Sequence, residues 1–302
     1  MKIYKNPNLN VRHRNGVIAI GNFDGIHLGH QKVINEAKKK AKKNKLPFGL
    51  MTFEPVPVMF FNKKIKNHRI NTLEQKKAQL KKFKLDFLII IKFNKNFSSL
   101  SAEEFIKKII YRKTSCRFLY VSKNFRFGFK RKGKIETLKK YEKQYNFKNL
   151  IIKPFKIKKR IISSTLIRKK IKKGKIEEVN RLLNRNWSVE GKVIKGQKRG
   201  RKIGFPTCNL KLNDYVIPRL GVYAVKVKTE KISKNGIANI GYRPTFNGQD
   251  LLLETNIFGI NKNLYNKVIN VGFKKFLRAE KKFKDIEYLK KQIKIDIKQA
   301  KK

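Results

Sequence analysis

The chain is poor in cysteine and in acidic residues, and it lacks any long hydrophobic run. Only two cysteines, Cys116 and Cys208, occur among 302 residues, far apart and outside a CxxC pair or metal-ligand spacing. This excludes a disulfide framework and a cysteine-rich zinc site. No run approaches the ~18 consecutive apolar residues of a membrane span, and the opening segment MKIYKNPNLN has no apolar signal region. We therefore predict a cytoplasmic protein with no membrane partner.

The shortage of acidic residues leaves a large positive charge. With 77 Lys and Arg against 20 Asp and Glu, the formal net charge is +57. Such a charge favours nucleic-acid binding, because each neutralised phosphate releases counterions. However, Lys far outnumbers Arg and recurs in every segment, whereas base-edge and bidentate phosphate contacts favour Arg. A solvated basic surface without specific nucleic-acid binding is the stronger interpretation, and a basic nucleic-acid-binding protein is the alternative from another class.

The first half of the chain alternates short apolar runs with helical patterns. The runs are VIAIG, GLMTF, DFLIII, FLYVS and LIIKPF, and helices are predicted from His30, Leu73 and Ala102. Ser101 and Glu104 form a capping box at the third of these helices. This alternation predicts a parallel sheet with covering helices. A helical pair follows, interrupted at Gly174.

The periodicity changes after about residue 184, where strands follow one another without helices. These runs are VEGKVI, CNLKL, GVYAVKV, GIANIG, LLLETNIF and VINVGF. They predict an antiparallel barrel or sandwich. A closing helix presents Ile286, Leu289 and Ile293 on one face. We therefore predict two domains, 1–183 and 184–302.

The run GNFDGIHLGH connects VIAIG directly to a helix. It places Gly25, Gly29, His27 and His30 at the carboxyl end of a strand, where open α/β sheets bind their ligands. Glycines let a phosphate approach the backbone, and the helix start and the imidazoles supply donors. Such a site suits charge developing on an α-phosphate and on departing pyrophosphate. Alternatively, the histidines only stabilise a loop; a zinc site is weaker, since an HExxH spacing is absent.

A second constellation, GQKRGRKIGFPTCNL, occupies residues 196–210. Gly196, Gly200 and Gly204 can expose backbone N–H groups to phosphates, while Thr207 and Asn209 offer oxygen ligands to Mg²⁺. A Walker A pattern is absent from this segment, which argues against an ordinary P-loop kinase.

These strings resemble the prokaryotic bifunctional riboflavin kinase/FAD synthetase family. GNFDGIHLGH, TFEPVP, NFRFG and ISSTLIR are similar to its nucleotidyltransferase motifs, and GQKRGRKIGFPTCNL, ANIGYRPTF, LLLETNIF and FLRAEKKF to its kinase module. The resemblance implies a Rossmann-like α/β nucleotidyltransferase domain followed by a mainly antiparallel β-barrel kinase domain. It implies that ATP and Mg²⁺ convert riboflavin to FMN, and that FMN and ATP then give FAD and pyrophosphate. It leaves self-association open.

The resemblance also implies roles for individual residues. In the first domain, the implied ATP contacts are Gly21, Asn22, Phe23, Asp24, Gly25, Gly29, Ser163, Ser164, Thr165 and Arg168. In the second, they are Gly196, Gly200, Arg201, Gly204, Pro206 and Thr207, with Thr207 and Asn209 as the metal ligands. The implied flavin contacts are Phe53, Pro57, Asn124, Phe125, Arg126 and Arg278. The catalytic residues are then His27 and His30 for adenylyl transfer and Glu254 as the base in the kinase step.

Several of these assignments have simpler alternatives. The hydroxyls of Ser163, Ser164 and Thr165 can cap a helix, and an aromatic strand residue such as Phe53 is more often core. Glu254 can be an exposed strand carboxylate or a partner of Arg278. The chain also departs from the family at Ser122, where glycine is usual, and at Leu166, which is often basic. A second hypothesis is that these departures impair the adenylyltransferase and leave only the kinase active.

Overall fold

The computed structural model describes residues 1–196, 199–245, 248–260 and 262–301. The chain divides into two compact units: unit 1 contains residues 1–65 and 73–163, and unit 2 contains residues 66–72 and the chain from residue 164 onward. The division by contacts falls between residues 163 and 164, ahead of the helical pair. The functional boundary between 1–183 and 184–302 stays a prediction.

A parallel six-stranded sheet forms the centre of unit 1. Its strands are β1 (Lys2–Tyr4), β2 (Val17–Ile20), β3 (Phe48–Glu54), β4 (Phe87–Lys92), β5 (Phe118–Ser122) and β6 (Lys148–Ile152). They lie in the order β1-β4-β3-β2-β5-β6, and every pairing is parallel. A separate antiparallel ribbon follows, formed by β7 (Lys156–Ile157) and β8 (Arg160–Ile161). The five predicted strands are all present, and β1 adds an edge strand.

Helices connect these strands. They are α1 (Leu28–Lys43), α2 (Pro57–Phe61), α3 (Leu73–Lys81), α4 (Lys95–Ser98), α5 (Ala102–Glu104) and α6 (Ile135–Lys140), and α5 continues as a π-helix, Phe105–Lys113. The predicted capping box is confirmed: the Glu104 N–H donates to the Ser101 hydroxyl at 3.1 Å, and the Glu104 carboxylate accepts from the Ser101 N–H at 2.9 Å. The helix predicted from His30 begins two residues earlier, at Leu28.

Each face of the parallel sheet is buried in its own hydrophobic cluster. Successive side chains of a strand point to opposite faces and therefore belong to different clusters. Ile18 and Ile20 of β2 belong to one cluster, whereas Val17 and Ala19 belong to the other. The second cluster also takes in the apolar stripe of α1, which leaves the lysines of this helix facing water. The strand that leads into GNFDG is thus held from both sides.

An antiparallel six-stranded sheet forms the centre of unit 2. Its strands are β9 (Ser188–Lys192), β10 (Cys208–Lys211), β11 (Gly221–Lys228), β12 (Ser233–Thr245), β13 (Gly248–Ile257) and β14 (Val268–Arg278), in the order β10-β13-β12-β11-β14-β9. Just beyond β9, the Ile194 N–H donates to the Asn209 carbonyl at 2.9 Å and forms a bridge to β10. The two outer strands therefore approach each other, and the sheet is a nearly closed barrel. The predicted fold class is confirmed for both halves of the chain.

The helices of unit 2 are α7 (Ser164–Lys172), α8 (Ile176–Leu183), α9 (Arg199–Lys202) and α10 (Ile286–Lys301). Gly174, with a φ of 70°, separates α7 from α8 as predicted. The predicted face of α10 is confirmed at Ile293, which packs against the barrel together with Ile297 and the buried Asp296 and Ala300. It was wrong at Ile286, which is exposed. Within the described ranges, every helix is too short or too polar for a transmembrane span.

Candidate active sites

The first site lies at the carboxyl end of β2. From this strand the sheet extends through β3 on one side and through β5 on the other, which makes the end of β2 a topological switch point. The loop that follows is sharply turned, since Phe23, Gly25 and Ile26 have φ values of 47°, 84° and 42°. Residues in the left-handed region turn successive N–H groups toward one concavity, and such concavities bind anions.

His27 and His30 are held together at the start of α1. The His30 N–H donates to Nδ1 of His27 at 3.3 Å, so that His27 is the N-cap of the helix. The two rings stack with their centroids 3.7 Å apart and 19° between their planes. Phe23 meets the ring of His30 edge-on at 5.4 Å. The imidazoles therefore lie where a 16-residue helix presents its unpaired N–H groups.

Gly29 brings a second motif to this loop. A side chain at position 29 would place its Cβ 3.1 Å from the His27 ring and 3.3 Å from the Ile162 carbonyl. The beginning of ISSTLIR therefore lies against HLGH, within unit 1. Ser164, Thr165 and Arg168 belong to unit 2, where Arg168 Nε donates to the His68 carbonyl at 2.8 Å. A role for these three residues, and for Ser163, stays a prediction.

Two of the predicted flavin residues, Phe53 and Phe125, lie along one aromatic cluster of unit 1. Phe53 is buried against Phe93 and Phe97, with centroids 6.0 and 5.8 Å away. The ring of Phe97 lies 6.1 Å from that of Phe105, and the ring of Phe105 lies 5.3 Å from that of Phe127. Phe127 in turn stacks on Phe125, with centroids 5.5 Å apart. Pro57 is the first residue of α2. Asn124 and Arg126 are exposed on either side of Phe125.

The second site begins at the glycine-rich loop of unit 2. Gly200 belongs to the short helix α9, and a Cβ there would lie 2.4 Å from the Phe205 carbonyl. Gly204 has a φ of 87°. The Asn256 side-chain amide donates to the Pro206 carbonyl at 2.7 Å and attaches the loop to β13. Arg201 is exposed. Gln197 and Lys198 of this string and Phe246 of ANIGYRPTF lie outside the described residues.

Asn209 is the clearest candidate for a metal ligand. Its side chain is 6% exposed, and its Oδ1 has no hydrogen-bond partner among the residues that the structure describes. A Cβ at Gly196 would lie 1.9 Å from Asn209 Nδ2, so only glycine lets this segment pass over the amide. The Thr207 hydroxyl lies near the Gly200 backbone. A buried amide oxygen and a hydroxyl fit the oxygen chemistry of Mg²⁺.

The described residues contain no group of three His, Cys, Asp or Glu side chains that could hold a metal ion. The two predicted metal ligands in unit 2, Thr207 and Asn209, carry neutral oxygens. Such ligands hold a cation weakly by themselves and leave positions for substrate phosphates, as in many Mg²⁺ sites.

Glu254 lies on β13 directly opposite Asn209 of β10 and Asn239 of β12. Arg243 donates to Glu254 Oε2 from Nε at 3.0 Å and from Nη2 at 2.6 Å. Arg278 is not the partner of Glu254, because its guanidinium makes three hydrogen bonds to Asp296, of 2.8 to 3.1 Å. That alternative was wrong, and a flavin contact of Arg278 stays a prediction.

Two family models and several curated proteins match this chain. The family model for FAD synthetase matches residues 9–166, and the model for riboflavin kinase matches residues 183–302. A curated bifunctional riboflavin kinase/FMN adenylyltransferase of Buchnera aphidicola is 43% identical over 98% of this chain and 96% of its own length. The protein of that name from Haemophilus influenzae is 38% identical over 94% of this chain and 92% of its own.

The chain belongs to the bifunctional riboflavin kinase/FMN adenylyltransferase family. A crystal structure described as a macrolide-efflux protein from Streptococcus pneumoniae shares its fold, with a TM-score of 0.88 and 31% identity over 99% of this chain and 98% of that one. The family resemblance of the sequence is thus confirmed. Both enzyme domains are present, which supports the two-activity hypothesis over the two alternatives.

In the FAD synthetase domain, sequence reasoning missed Lys76. This lysine of α3 is only 1% exposed, and its ammonium donates to the Asn22 carbonyl at 2.9 Å and to the Thr52 hydroxyl at 3.3 Å. Thr52 also donates to the Asn22 carbonyl, at 3.1 Å. Lys76 therefore stabilises the GNFDG loop through hydrogen bonds on the buried side of the loop. In the sequence, Lys76 is marked only by its position on the buried side of α3. Because lysine is so abundant in this chain, that position alone does not distinguish it.

In the riboflavin kinase domain, sequence reasoning missed Arg243 and Glu280. Arg243 Nη1 lies 3.3 Å from Glu280 Oε1, and the Asn239 amide donates to the same oxygen at 3.1 Å. Arg243 lies within the ANIGYRPTF string, but its distance from Glu254 depends on the register between β12 and β13. Only the paired strands show that these two side chains meet.

Proposed function

We propose that this chain makes FAD from riboflavin in two ATP-dependent steps, one in each of its two enzyme domains. Riboflavin and ATP give FMN and ADP in the kinase domain, and FMN and ATP give FAD and pyrophosphate in the FAD synthetase domain. The observation that carries the proposal is that each domain has its own constellation for phosphate chemistry. One is the stacked histidine pair at the end of β2, and the other is the Asn209 and Glu254 pair across β10 and β13.

In the adenylyl transfer step, a phosphate oxygen of FMN attacks the α-phosphorus of ATP. The new O–P bond forms as the bond to the bridging oxygen of pyrophosphate breaks, and pyrophosphate leaves with that electron pair. The start of α1 offers N–H groups to the charge that develops. The His27 Nδ1 accepts a backbone hydrogen bond, so the neutral ring carries its proton on Nε2 and can donate it to phosphate.

Flavin binding in this domain follows from the aromatic cluster. Phe53 and Phe125 belong to one set of ring contacts, and Phe125 is only partly buried. A flat tricyclic ring system stacks on such surfaces at distances of about 4.5 to 7 Å between centroids. Asn124 and Arg126 flank Phe125 with polar groups that suit the edge of the isoalloxazine and the FMN phosphate.

In the kinase step, Glu254 takes the proton from the 5′-hydroxyl of riboflavin. The hydroxyl oxygen forms a bond to the γ-phosphorus of ATP, the bond to the β–γ bridging oxygen breaks, and ADP leaves. Thr207 and Asn209 would hold Mg²⁺, which neutralises phosphate charge when it is bound. The glycine-rich loop brings backbone N–H groups to the phosphates, and Asn256 keeps that loop on β13.

We also propose that the enzyme works in the cytoplasm, where riboflavin and ATP are both available. The two cysteines are unpaired thiols, and Cys116 is buried, which agrees with a reducing compartment. The positive surface gives weak binding to polyanions that fades as salt rises.

One experiment tests the function as a whole. Purified protein is incubated with riboflavin, ATP and Mg²⁺, and the flavins are separated by chromatography. We expect FMN and then FAD. A second incubation with FMN and ATP tests adenylyl transfer alone. FMN formation without FAD from either substrate would favour the kinase-only hypothesis, and a folded protein that forms neither would reject the proposal.

A further inference from the structure

One face of the kinase barrel carries a connected row of charged and amide groups around Glu254. Arg243 donates twice to Glu254 Oε2, at 3.0 and 2.6 Å, and its Nη1 lies 3.3 Å from Glu280 Oε1. The Asn239 amide donates to the same Glu280 oxygen at 3.1 Å. The Arg243 guanidinium therefore holds the Glu254 carboxylate, and the Glu280 carboxylate holds the same guanidinium from another side.

The strand register explains how these groups meet. Glu254 is opposite Asn239, whereas Arg243 is opposite Asp250, so the two side chains start four residues apart along the sheet. The guanidinium must cross the intervening position, which is Gly241. A Cβ at Gly241 would lie 2.8 Å from Arg243 Nη1 and 2.0 Å from Glu280 Oε1. The absence of a side chain at position 241 therefore makes room for this network.

We propose that Arg243 is a positioning residue for the kinase step. Both of its hydrogen bonds to Glu254 use Oε2, which directs Oε1 to the riboflavin hydroxyl. This inference rests on the proposed function, in which Glu254 removes that proton. Holding one carboxylate oxygen fixes the rotamer of the base, and a base held in the reactive geometry accelerates proton transfer.

The pair differs from the exposed ion pairs of the chain that share a single contact. The side chains of Arg243 and Glu254 are 31% and 28% exposed, and two donors converge on one oxygen. Lys211 and Asp250 form a pair nearby, at 3.0 Å, but they are 48% and 42% exposed and share a single contact. Exposed single-contact pairs contribute little. Lys211→Met is therefore a matched control, since it removes a cation from a neighbouring strand without touching Glu254.

The test is a set of kinetic measurements on the full chain. Arg243→Met, Glu254→Gln, the double variant and Lys211→Met are assayed for FMN formation with varied riboflavin and ATP. We expect Arg243→Met to lower kcat by about 10- to 100-fold with KM values within about 3-fold, because the lost interaction orients the base and does not bind substrate. Arg243→Lys retains more activity than Arg243→Met, since it keeps a cationic donor. Lys211→Met keeps wild-type rates.

The double variant decides whether Arg243 acts through Glu254. If it does, removing Arg243 from the Glu254→Gln protein causes no further loss, so the double variant matches Glu254→Gln alone. Riboflavin binding, followed by flavin fluorescence without ATP, and the unfolding midpoint show that each variant is folded and binds substrate.

Different failures contradict different claims. If the wild type makes no FMN, the proposed function fails. If Glu254→Gln retains full activity, the assignment of the base fails. If the wild type is active and Glu254→Gln is not, three results overturn the inference: an Arg243→Met variant with wild-type kcat, an Arg243→Met variant with a raised KM for ATP alone, or losses that multiply in the double variant.

Discussion

His27 caps the helix that begins beside it, and His30 stacks on His27 from the first turn of that helix. The hydrogen bond from the His30 N–H to His27 Nδ1 measures 3.3 Å, and the ring centroids are 3.7 Å apart. The cap fixes which nitrogen of His27 carries the proton, because an imidazole that accepts at Nδ1 keeps its hydrogen on Nε2. One short contact thus organises both imidazoles for phosphate binding.

The first prediction concerns His30. His30→Ala removes one ring of the stacked pair but keeps the backbone N–H that His27 accepts from. We expect FAD formation from FMN to fall by about 100- to 1,000-fold, which is typical for the loss of one donor to a developing charge. FMN formation from riboflavin by the same preparation is the control and should be unchanged. A parallel loss of both activities in a folded variant would contradict the division of labour between the domains.

The second prediction concerns Glu254. Glu254→Gln keeps the size of the side chain but removes the base, so we expect FMN formation to fall by at least about 100-fold. When FMN is supplied directly, FAD formation should proceed at the wild-type rate. The measurement is flavin chromatography from the two substrates side by side. Retained kinase activity would show that another group accepts the proton.

The two folds and the phosphate-binding motif of the first domain follow from local sequence patterns. The parallel sheet and the barrel were predictable because strand and helix periodicities differ and because the runs from Val17 to Ile20 and from Val222 to Val225 are apolar. The motif that ends in His30 was predictable because a glycine-rich turn joins a strand to a helix. Local patterns of this kind depend on neighbours in the sequence.

Contacts between distant residues were not predictable in this way. Asp296 of α10 is buried, and Arg278, 18 positions earlier, reaches it from the end of β14. Ile286 lies on the same face as Ile293, seven residues later, but it is the first residue of α10 and is exposed. Likewise Arg243 meets Glu254 through a register that no local pattern specifies. The segment 66–72 belongs to unit 2 although unit 1 residues flank it on both sides.

The third prediction concerns Lys76 beneath the GNFDG loop. Lys76→Met retains the length of the side chain but loses the donors to the Asn22 carbonyl and the Thr52 hydroxyl. We expect the unfolding free energy to fall by about 2 kcal/mol, the order of a hydrogen bond to a charged group. The loop also loses its support, so FAD formation should fall more than FMN formation. Urea titration and the two flavin assays test this.

Lys77→Met is the matched control for that experiment. Lys77 is the next residue of α3 and pairs with Glu74 at the surface, so its removal should change stability by less than about 0.5 kcal/mol. Equal effects of the two substitutions would refute a supporting role for Lys76.

The fourth prediction separates metal binding from stability at Asn209. Asn209→Leu removes a buried oxygen that has no hydrogen-bond partner in the described part of the chain. Without Mg²⁺, we expect the unfolding free energy to stay within about 1 kcal/mol of the wild type or to rise, because an unsatisfied polar group is costly to bury. Kinase activity should nevertheless be lost at every Mg²⁺ concentration. Loss of stability together with activity would instead indicate that Asn209 supports the fold.

The fifth prediction concerns the pH dependence of stability at His13. This ring is buried, its Nδ1 shares a hydrogen bond with the Tyr4 hydroxyl at 2.7 Å, and its centroid lies 5.0 Å from the ring of Phe87. Burial, and then the charge of Arg12, lower the pKa of His13 below its ordinary 6.5, although Asp86 opposes this shift. The unfolded chain therefore takes up the proton first as the pH falls. The contribution of His13 is complete above about pH 6.5 and is lost as the pH falls toward the lowered pKa. In urea titrations at pH 7.5 and pH 5.5, His13→Gln should show a smaller decrease in unfolding free energy than the wild type, and an equal decrease would contradict the assignment.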